Sequence, residues 1–189
     1  MPRAGLTPHA VTDAALAQVD LAGPESLTLA AVAERTGVAT PSLYKHVGSL
    51  ADLRRRVALR VLDEMTGRLA EAVLGRSGDD ALKAAMLAYR EYVREHPHRY
   101  RALPQTRQAS PELIAAGDRM LGVVLAVLRG YGLEEAPAIH AARCFRAAAH
   151  GFASLESLGG FQLAEDVDES YDLLISMVAG GLPGARPVG

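Results

Sequence analysis

The feature that most constrains this chain is a recurring pattern of apolar residues at helical spacing, interrupted by short breaks rich in Gly and Pro. Leu82, Met86, Tyr89 and Val93, for example, are three or four positions apart, a spacing that places them on one face of a helix. Only 5% of the residues are aromatic and Trp is absent, so a core must be built from Ala, Leu and Val, which favours helices. The sequence therefore predicts an all-α fold of about nine helices.

Three short helices are predicted within the first 48 residues. Thr7 and Thr28 each supply a side chain that can cap a helix start, and Thr40-Pro41 combines a cap with Pro at the first position of a helix that is predicted to continue to Val47. The second and third helices are separated only by the tight turn around Gly37. A short turn of this kind is typical of a helix-turn-helix, so we predict a DNA-binding domain at 1–48.

A long connecting helix is predicted at 49–74, because Ser49 and Asp52 form an approximate capping box before an apolar repeat. Beyond the break at 75–78, residues 75–189 are predicted to form a second, larger helical domain. Its helices are expected at 79–95, around 99–103, at 111–129, 137–158 and 168–181.

Charge and exposure point to the third helix as the DNA-reading element. Residues 1–60 carry a net charge of +2 against −4 for the remainder, so the first third is the end suited to a polyanion. Leu43 and Val47 are four positions apart and should face inward, which turns Ser42, Lys45 and His46 outward. Lys45 can bind phosphate or guanine, and the neighbouring hydroxyl groups can donate to phosphate or base edges.

The run LTLAAVAERTGVATPSLYKHV at 27–47 resembles the DNA-binding signature of the TetR family of transcriptional regulators. The resemblance implies an all-helical homodimer that binds a double-stranded operator. Many family members have Lys where this chain has Leu50, so the corresponding phosphate contact is expected to be missing or moved to Arg54. The residues expected to meet DNA are Thr28, Ala39, Thr40, Pro41, Ser42, Tyr44, Lys45, His46 and Arg54.

The segment from His150 to Glu156 resembles the carboxy-terminal domain of a TetR subgroup named for a Trp-His-Gly signature, although this chain has no Trp. The resemblance implies a ligand cavity between the middle helices and a dimer interface built from the last two long helices. The residues expected at the dimer interface are Phe145, Phe152, Leu155, Leu174 and Val178.

A small-molecule effector, expected to be apolar, requires a pocket with apolar walls and a few polar anchors. Each residue that suits such a pocket also suits a plain helical core. No cofactor is expected. The residues that best fit the lining are Met86, Tyr89, Tyr92, Tyr100, Met120, Phe145, Arg146 and His150.

Two groups of residues could suggest other chemistry. His96 and His98 flank a Pro, and His140 lies on a later helix, but no third ligand accompanies them at a diagnostic spacing, so no metal site is predicted. Cys144 is the single cysteine, which excludes an internal disulfide and predicts a small buried apolar side chain.

The predicted function is therefore that of a repressor released from a palindromic operator by a small-molecule effector. An activator with the same motif is the nearest alternative, since the sequence does not distinguish the sign of regulation. A small helical enzyme is a more distant one, because no nucleophile, base and orienting group occur together. With neither a secretory signal nor a membrane span, the protein is expected in the cytoplasm.

Overall fold

A computed structural model describes residues 6–104 and 110–183, and these residues form nine α-helices and no strand. The all-α prediction is confirmed. The helices are α1 (Pro8–Ala22), α2 (Leu29–Thr36), α3 (Thr40–Leu43), α4 (Leu50–Val73), α5 (Gly78–Glu95), α6 (Pro97–Arg101), α7 (Pro111–Arg129), α8 (Glu135–Ser157) and α9 (Val167–Gly180).

The described residues fall into two compact units. The first unit draws on Met1–Asp63 and His96–Ala116, and the second on Glu64–Glu95 and Gly117–Gly189. The first unit thus contains α1 to α3, the first part of α4, α6 and the start of α7. The predicted division into functional domains at 1–48 and 75–189 remains a prediction, because a unit defined by packing need not coincide with one defined by function.

The core of the first unit is built from the apolar faces that the sequence indicates. Val11, Ala15, Leu16 and Val19 of α1 are all buried. They pack with the buried side chains Leu27, Val32, Leu43, Val47, Leu53 and Val57. Helix α6 also packs in this unit, against α1.

Salt bridges attach α6 to the end of α1. Arg99 donates from Nε and Nη2 to the two carboxylate oxygens of Asp20, at 2.8 and 2.7 Å. Arg101 Nη2 lies 2.9 Å from Glu25 Oε2 in the short 3₁₀ turn Pro24–Ser26. The bidentate Arg99 pair fixes the orientation as well as the position of α6.

The second unit is centred on the contact between α5 and α8, where small side chains let the two helices approach closely. Leu82, Met86, Tyr89 and Val93 of α5 are buried, as their spacing predicts. Helix α9 packs on α5 and α8, and its Tyr171 hydroxyl donates to the Met86 carbonyl at 2.7 Å. The alanines buried at this core are Ala81, Ala85, Ala88, Ala138, Ala141, Ala142, Ala149 and Ala153.

Three local predictions are wrong. The third helix ends at Leu43 rather than Val47, and residues 44–46 continue as a turn in which His46 N–H bonds the Leu43 carbonyl. Its N-cap is Ala39 without a side-chain bond, so Thr40 does not cap it. Cys144 is exposed rather than buried, because it lies outside the face of α8 that buries Phe145 and Ala149.

Across 6–104 and 110–183, no helix is both long enough and apolar enough to cross a membrane.

Candidate functional site

The third helix and the turn after it form a short segment anchored by two apolar side chains. Leu43 and Val47 are buried, at 0% and 2% exposure, in agreement with the predicted inward face. Tyr44 is 57% exposed, and Lys45 is exposed beside it. The segment therefore presents a phenol and an ammonium group on a support held by the core. We call residues 39–46 the recognition segment.

The turn before this segment depends on Gly37, whose φ of 70° is left-handed. A side chain at such a position is strained, which makes Gly the suitable residue. The Gly37 N–H bonds the carbonyls of Ala33 and Glu34, and the Val38 N–H bonds the Ala33 carbonyl at 3.0 Å. These bonds end α2 and set the direction in which the recognition segment leaves it.

The turn after the recognition segment is held by the predicted capping box. Ser49 Oγ accepts from the Asp52 N–H, and Asp52 Oδ2 accepts from the Gly48 N–H, both at 3.0 Å. The Gly48 hydrogen bond, with help from Arg55 and Arg56, holds the pKa of Asp52 below its ordinary value. Asp52 therefore favours the ionised state in the folded protein and links the recognition segment to α4.

Asp52→Ala is expected to lower the free energy of unfolding at neutral pH by about 1 kcal/mol, since it removes a cap and an acid at a helix start. Because folding lowers the Asp52 pKa, this stability is present above the pKa of the unfolded chain and is lost as pH falls through the folded value. Urea denaturation of the unchanged protein and of the variant at pH 7 and pH 3 measures both the loss of unfolding free energy and its dependence on pH. Glu71→Ala, on the exposed side of the same helix, is the control. Equal losses for Asp52→Ala at both pH values would contradict the assignment.

Two cations of the first unit, Lys45 and Arg54, remain available to a ligand. Within the described residues, no ion pair engages Lys45 or Arg54, whereas Arg55 and Arg56 both bind Asp52. Arg54 lies on an open cleft of about 280 Å³. The cleft is also lined by Pro24, Glu25, Leu27, Val57, Arg101 and Ala102.

The other residues predicted to meet DNA differ in how far they are exposed. Ala39 and Pro41 are exposed, whereas Thr40, Ser42 and His46 are half-buried. Thr28 is exposed, and its hydroxyl accepts from the Ala31 N–H at 3.1 Å as the N-cap of α2. Leu50, where many TetR members have Lys, is half-buried at the start of α4.

Sequence comparisons identify the family. A sequence model described as "Bacterial regulatory proteins, tetR family" matches residues 11–57, and one described as "Tetracyclin repressor-like, C-terminal domain" matches residues 82–178. An uncharacterized HTH-type transcriptional regulator of Mycobacterium tuberculosis, Rv0681, is 38% identical over 94% of this chain and 82% of its own length. The chain belongs to the TetR family.

Further relatives agree with this family assignment. The uncharacterized HTH-type transcriptional regulator YobS of Bacillus subtilis is 34% identical over 96% of this chain and 95% of its own length. A TetR variant of Acinetobacter baumannii AYE, solved in complex with minocycline, has the same fold with a TM-score of 0.70. It is 23% identical over 93% of this chain and 96% of the other. This TetR-family protein is a DNA-binding regulator of transcription and not an enzyme.

The residues predicted to line an effector pocket do not all lie in one unit. Tyr100 is buried in the first unit, and the other seven lie in the second. Met86, Tyr89, Tyr92 and Phe145 are buried there, Met120 and His150 are half-buried, and Arg146 is exposed. Burial, together with the nearby Arg146, lowers the pKa of His150, so its imidazole favours the neutral form. The role of these eight residues in binding an effector remains a prediction.

The residues predicted at the dimer interface differ in accessibility. Leu155 is exposed, and Leu174 and Val178 are half-exposed on α9. Phe152 packs against Phe161 and Tyr171, with ring centroids 4.7 Å apart in both pairs. Phe145 is 3% exposed, so its side chain belongs to the core of its own unit and is not available to a second chain without rearrangement.

The sequence did not predict a buried ionic cluster centred on Arg90. The guanidinium donates to both Glu156 oxygens at 2.7 and 2.6 Å and to Asp168 Oδ1 at 2.7 Å. It also lies 5.4 Å from the Phe152 ring centroid and 4.7 Å from that of Tyr171. The sequence did contain an indication of this cluster, because Arg90 follows Met86 by four positions and therefore falls on the inner face of α5. The cluster joins α5, α8 and α9.

No comparable cluster suggests a metal site. Among the residues the structure describes, no group of three or more His, Cys, Asp or Glu side chains lies together in a way that could hold a metal ion.

Proposed function

We propose that this TetR-family protein is a repressor that binds a palindromic operator as a homodimer and releases it when a small-molecule effector binds. The observation that carries the DNA-binding part is the recognition segment, where buried Leu43 and Val47 support exposed Tyr44 and Lys45. In this proposal residues 1–48 bind DNA, and residues 75–189 bind the effector and the second subunit. Residues 49–74 form the helix that connects these two parts of the chain.

The recognition segment fits the major groove of duplex DNA. An exposed edge supported by a core is the arrangement that helix-turn-helix proteins insert between the strands, with the two copies in a dimer about 34 Å apart. Lys45 would neutralise phosphate or donate to guanine, and the Tyr44 hydroxyl would bind phosphate. Thr28, Arg54 and the polar or small residues at 39–46 would complete the contact, with Arg54 in place of the cation that many relatives have at position 50.

The effector site is proposed in the second unit. Met86, Tyr89, Tyr92 and Met120 offer apolar surface, and His150 offers a polar anchor. The A. baumannii TetR variant that shares the fold is described in complex with minocycline, which supports a small organic ligand as the type of effector. Such a ligand shifts the equilibrium only by the difference in its affinity for the DNA-bound and free states, so DNA and effector should weaken each other's binding.

Selection of bound sequences from random duplex DNA with the purified protein is the decisive experiment. The expected result is a near-palindrome whose half-sites are one helical turn apart or a little more. Recovery of no sequence preference, or of an asymmetric site, would contradict the proposal. A promoter fused to the selected site then distinguishes a repressor, which lowers transcription, from an activator.

Lys45→Ala is expected to weaken operator binding and to reduce by about one the slope of log K against log salt concentration, because one phosphate contact is lost. Fluorescence anisotropy over a salt series measures both quantities. Lys83→Ala is the matched control, since Lys83 is the other lysine of the chain and lies 3.0 Å from Asp172 in the second unit. If both variants keep the slope of the unchanged protein, Lys45 does not contact phosphate.

A further inference from the structure

The open cleft on which Arg54 lies, which we call the arginine cleft, combines an apolar floor with exposed charged side chains. Every residue that lines it belongs to the first unit. The floor consists of Leu27 and Val57, which are 1% and 0% exposed. Arg54 of α4, Glu25 of the short 3₁₀ turn and Arg101 of α6 supply the charges. Apolar walls with a few polar groups are typical of sites that bind small molecules.

The charged side chains of the arginine cleft leave one positive charge in excess. Arg101 Nη2 lies 2.9 Å from Glu25 Oε2, so these two charges compensate each other. In the two stretches of chain that the structure describes, no ion pair engages Arg54. Its guanidinium carries N–H donors in a planar fork that matches the two oxygens of a carboxylate. The cleft is therefore suited to an anion with a single charge.

Contacts within the short turn hold the Glu25 side of the cleft in place. Gly23, with a φ of 81°, precedes the turn, and its carbonyl accepts from Ser26 Oγ at 2.7 Å. A Cβ atom at Gly23 would lie 2.9 Å from Glu25 Oε2 and 3.0 Å from Arg101 Nη2. The ion pair thus packs directly over the Gly23 backbone. A wall that is fixed before a ligand arrives lowers the conformational entropy lost on binding.

The size and the floor of the cleft narrow the class of anion. Its volume of about 280 Å³ corresponds to about nine molecules of liquid water, which suits a molecule the size of benzoate. Inorganic phosphate would leave the apolar floor uncovered, and a neutral apolar molecule would leave Arg54 without a counter-charge. A monocarboxylic acid with a compact apolar body satisfies both parts of the site.

We propose that the arginine cleft binds a small monocarboxylic acid, with the carboxylate on Arg54 and the apolar body against Leu27 and Val57. The cleft lies in the first unit, whereas the effector site of the proposed function lies in the second. A regulatory consequence rests on that proposed function, in which Arg54 contacts DNA phosphate. Acid and operator then compete for one guanidinium, and each weakens the binding of the other by the same factor.

Binding is tested first without DNA, by nuclear magnetic resonance of protein with isotope-labelled Leu and Val methyl groups. Benzoate is expected to shift the methyl signals of Leu27 and Val57 and to saturate, since its ring lies against both side chains. Benzyl alcohol keeps the ring without the charge, and acetate keeps the charge without the ring, so each should need a roughly tenfold higher concentration. The absence of saturable shifts at Leu27 and Val57 overturns the site, even if methyl groups of the second unit respond.

Two substitutions separate the contribution of the charge from that of the cavity. Arg54→Gln is expected to raise the dissociation constant of benzoate roughly tenfold, because it removes a charge-assisted hydrogen bond, and Arg54→Lys should give an intermediate value. Ala102→Leu keeps both guanidinium groups but fills part of the cleft, so a similar increase is expected.

Arg129→Gln is the matched control for Arg54→Gln, since Arg129 is an exposed arginine of the second unit, and it should leave the dissociation constant of benzoate unchanged. Circular dichroism checks that each variant keeps its helix content. Shifts at Leu27 and Val57 that saturate at the same benzoate concentration in Arg54→Gln as in the unchanged protein would overturn the proposed carboxylate contact.

Competition with DNA is tested by fluorescence anisotropy on the selected operator. Sodium benzoate is expected to raise the dissociation constant of the operator complex more than sodium chloride at the same ionic strength, which controls for screening. This difference should vanish in Arg54→Gln and remain in Arg129→Gln. Methyl shifts at the cleft without such a difference would overturn the competition but not the site. Failure to select any operator contradicts the proposed function and the competition with it, while the methyl titration still decides the site.

Discussion

Arg90→Ala is expected to lower the free energy of unfolding by about 3–5 kcal/mol. Arg90 is 4% exposed, and its guanidinium satisfies Glu156 and Asp168 between two aromatic rings. Its removal leaves the half-buried Glu156 carboxylate with only the more distant and more exposed Arg94 as a counter-charge, and poorly compensated charge in a protein interior is costly. Urea denaturation followed by circular dichroism measures the change.

Arg94→Ala is the matched control for Arg90→Ala. Arg94 approaches the same two carboxylates, at 3.8 Å from each, but its side chain is 53% exposed. Exposed ion pairs contribute between nothing and about 1 kcal/mol, so Arg94→Ala should have a small effect. Similar losses for the two variants would show that burial of the cluster does not determine its contribution.

Leu43→Ala is expected to lower the free energy of unfolding by about 2–5 kcal/mol and to weaken operator binding strongly. The side chain is completely buried, and its removal leaves a cavity beneath the recognition segment. The segment has only four helical residues, so little besides this anchor and Val47 maintains its position. Thermal unfolding and operator titration by anisotropy measure the two effects.

Tyr44→Ala distinguishes support of the recognition segment from contact with DNA. Because Tyr44 is mostly exposed, its removal should change stability by no more than about 0.5 kcal/mol. Operator affinity should nevertheless fall, since a hydroxyl donor and a ring are lost from the contacting edge. Unchanged operator affinity in Tyr44→Ala, or unchanged stability in Leu43→Ala, would contradict the assigned roles.

Structural features that depend only on residues close together in the chain could be predicted from the sequence. The helices of the first unit follow from local signals such as the Thr28 cap, the left-handed Gly37 and the Ser49-Asp52 box, each of which acts within four positions. The inward position of Leu43 and Val47 follows from the same short-range periodicity. For this reason the recognition segment and its exposed side chains were identifiable before the structure.

Features that depend on distant residues could not be predicted in the same way. Arg90 is 66 and 78 positions from its two partners, so local patterns show only that a charge falls on an apolar face. The exposure of Cys144 depends on which side of an alanine-rich helix meets α5, and Ala at nearly every turn leaves that choice undefined by hydrophobicity. The attachment of α6 to α1 likewise joins residues far apart in the chain.

The exposure of Tyr44 gives the protein an optical reporter of its own. The chain has six tyrosines and no tryptophan, so its ultraviolet emission comes from phenol rings. Tyr89, Tyr92, Tyr100 and Tyr171 are buried and Tyr131 is partly so, which leaves Tyr44 as the ring most open to a dissolved quencher such as iodide. If operator DNA covers Tyr44, iodide should quench the tyrosine emission less when duplex is added. The decrease in quenching would then measure how much of the protein is bound to DNA, without an attached dye.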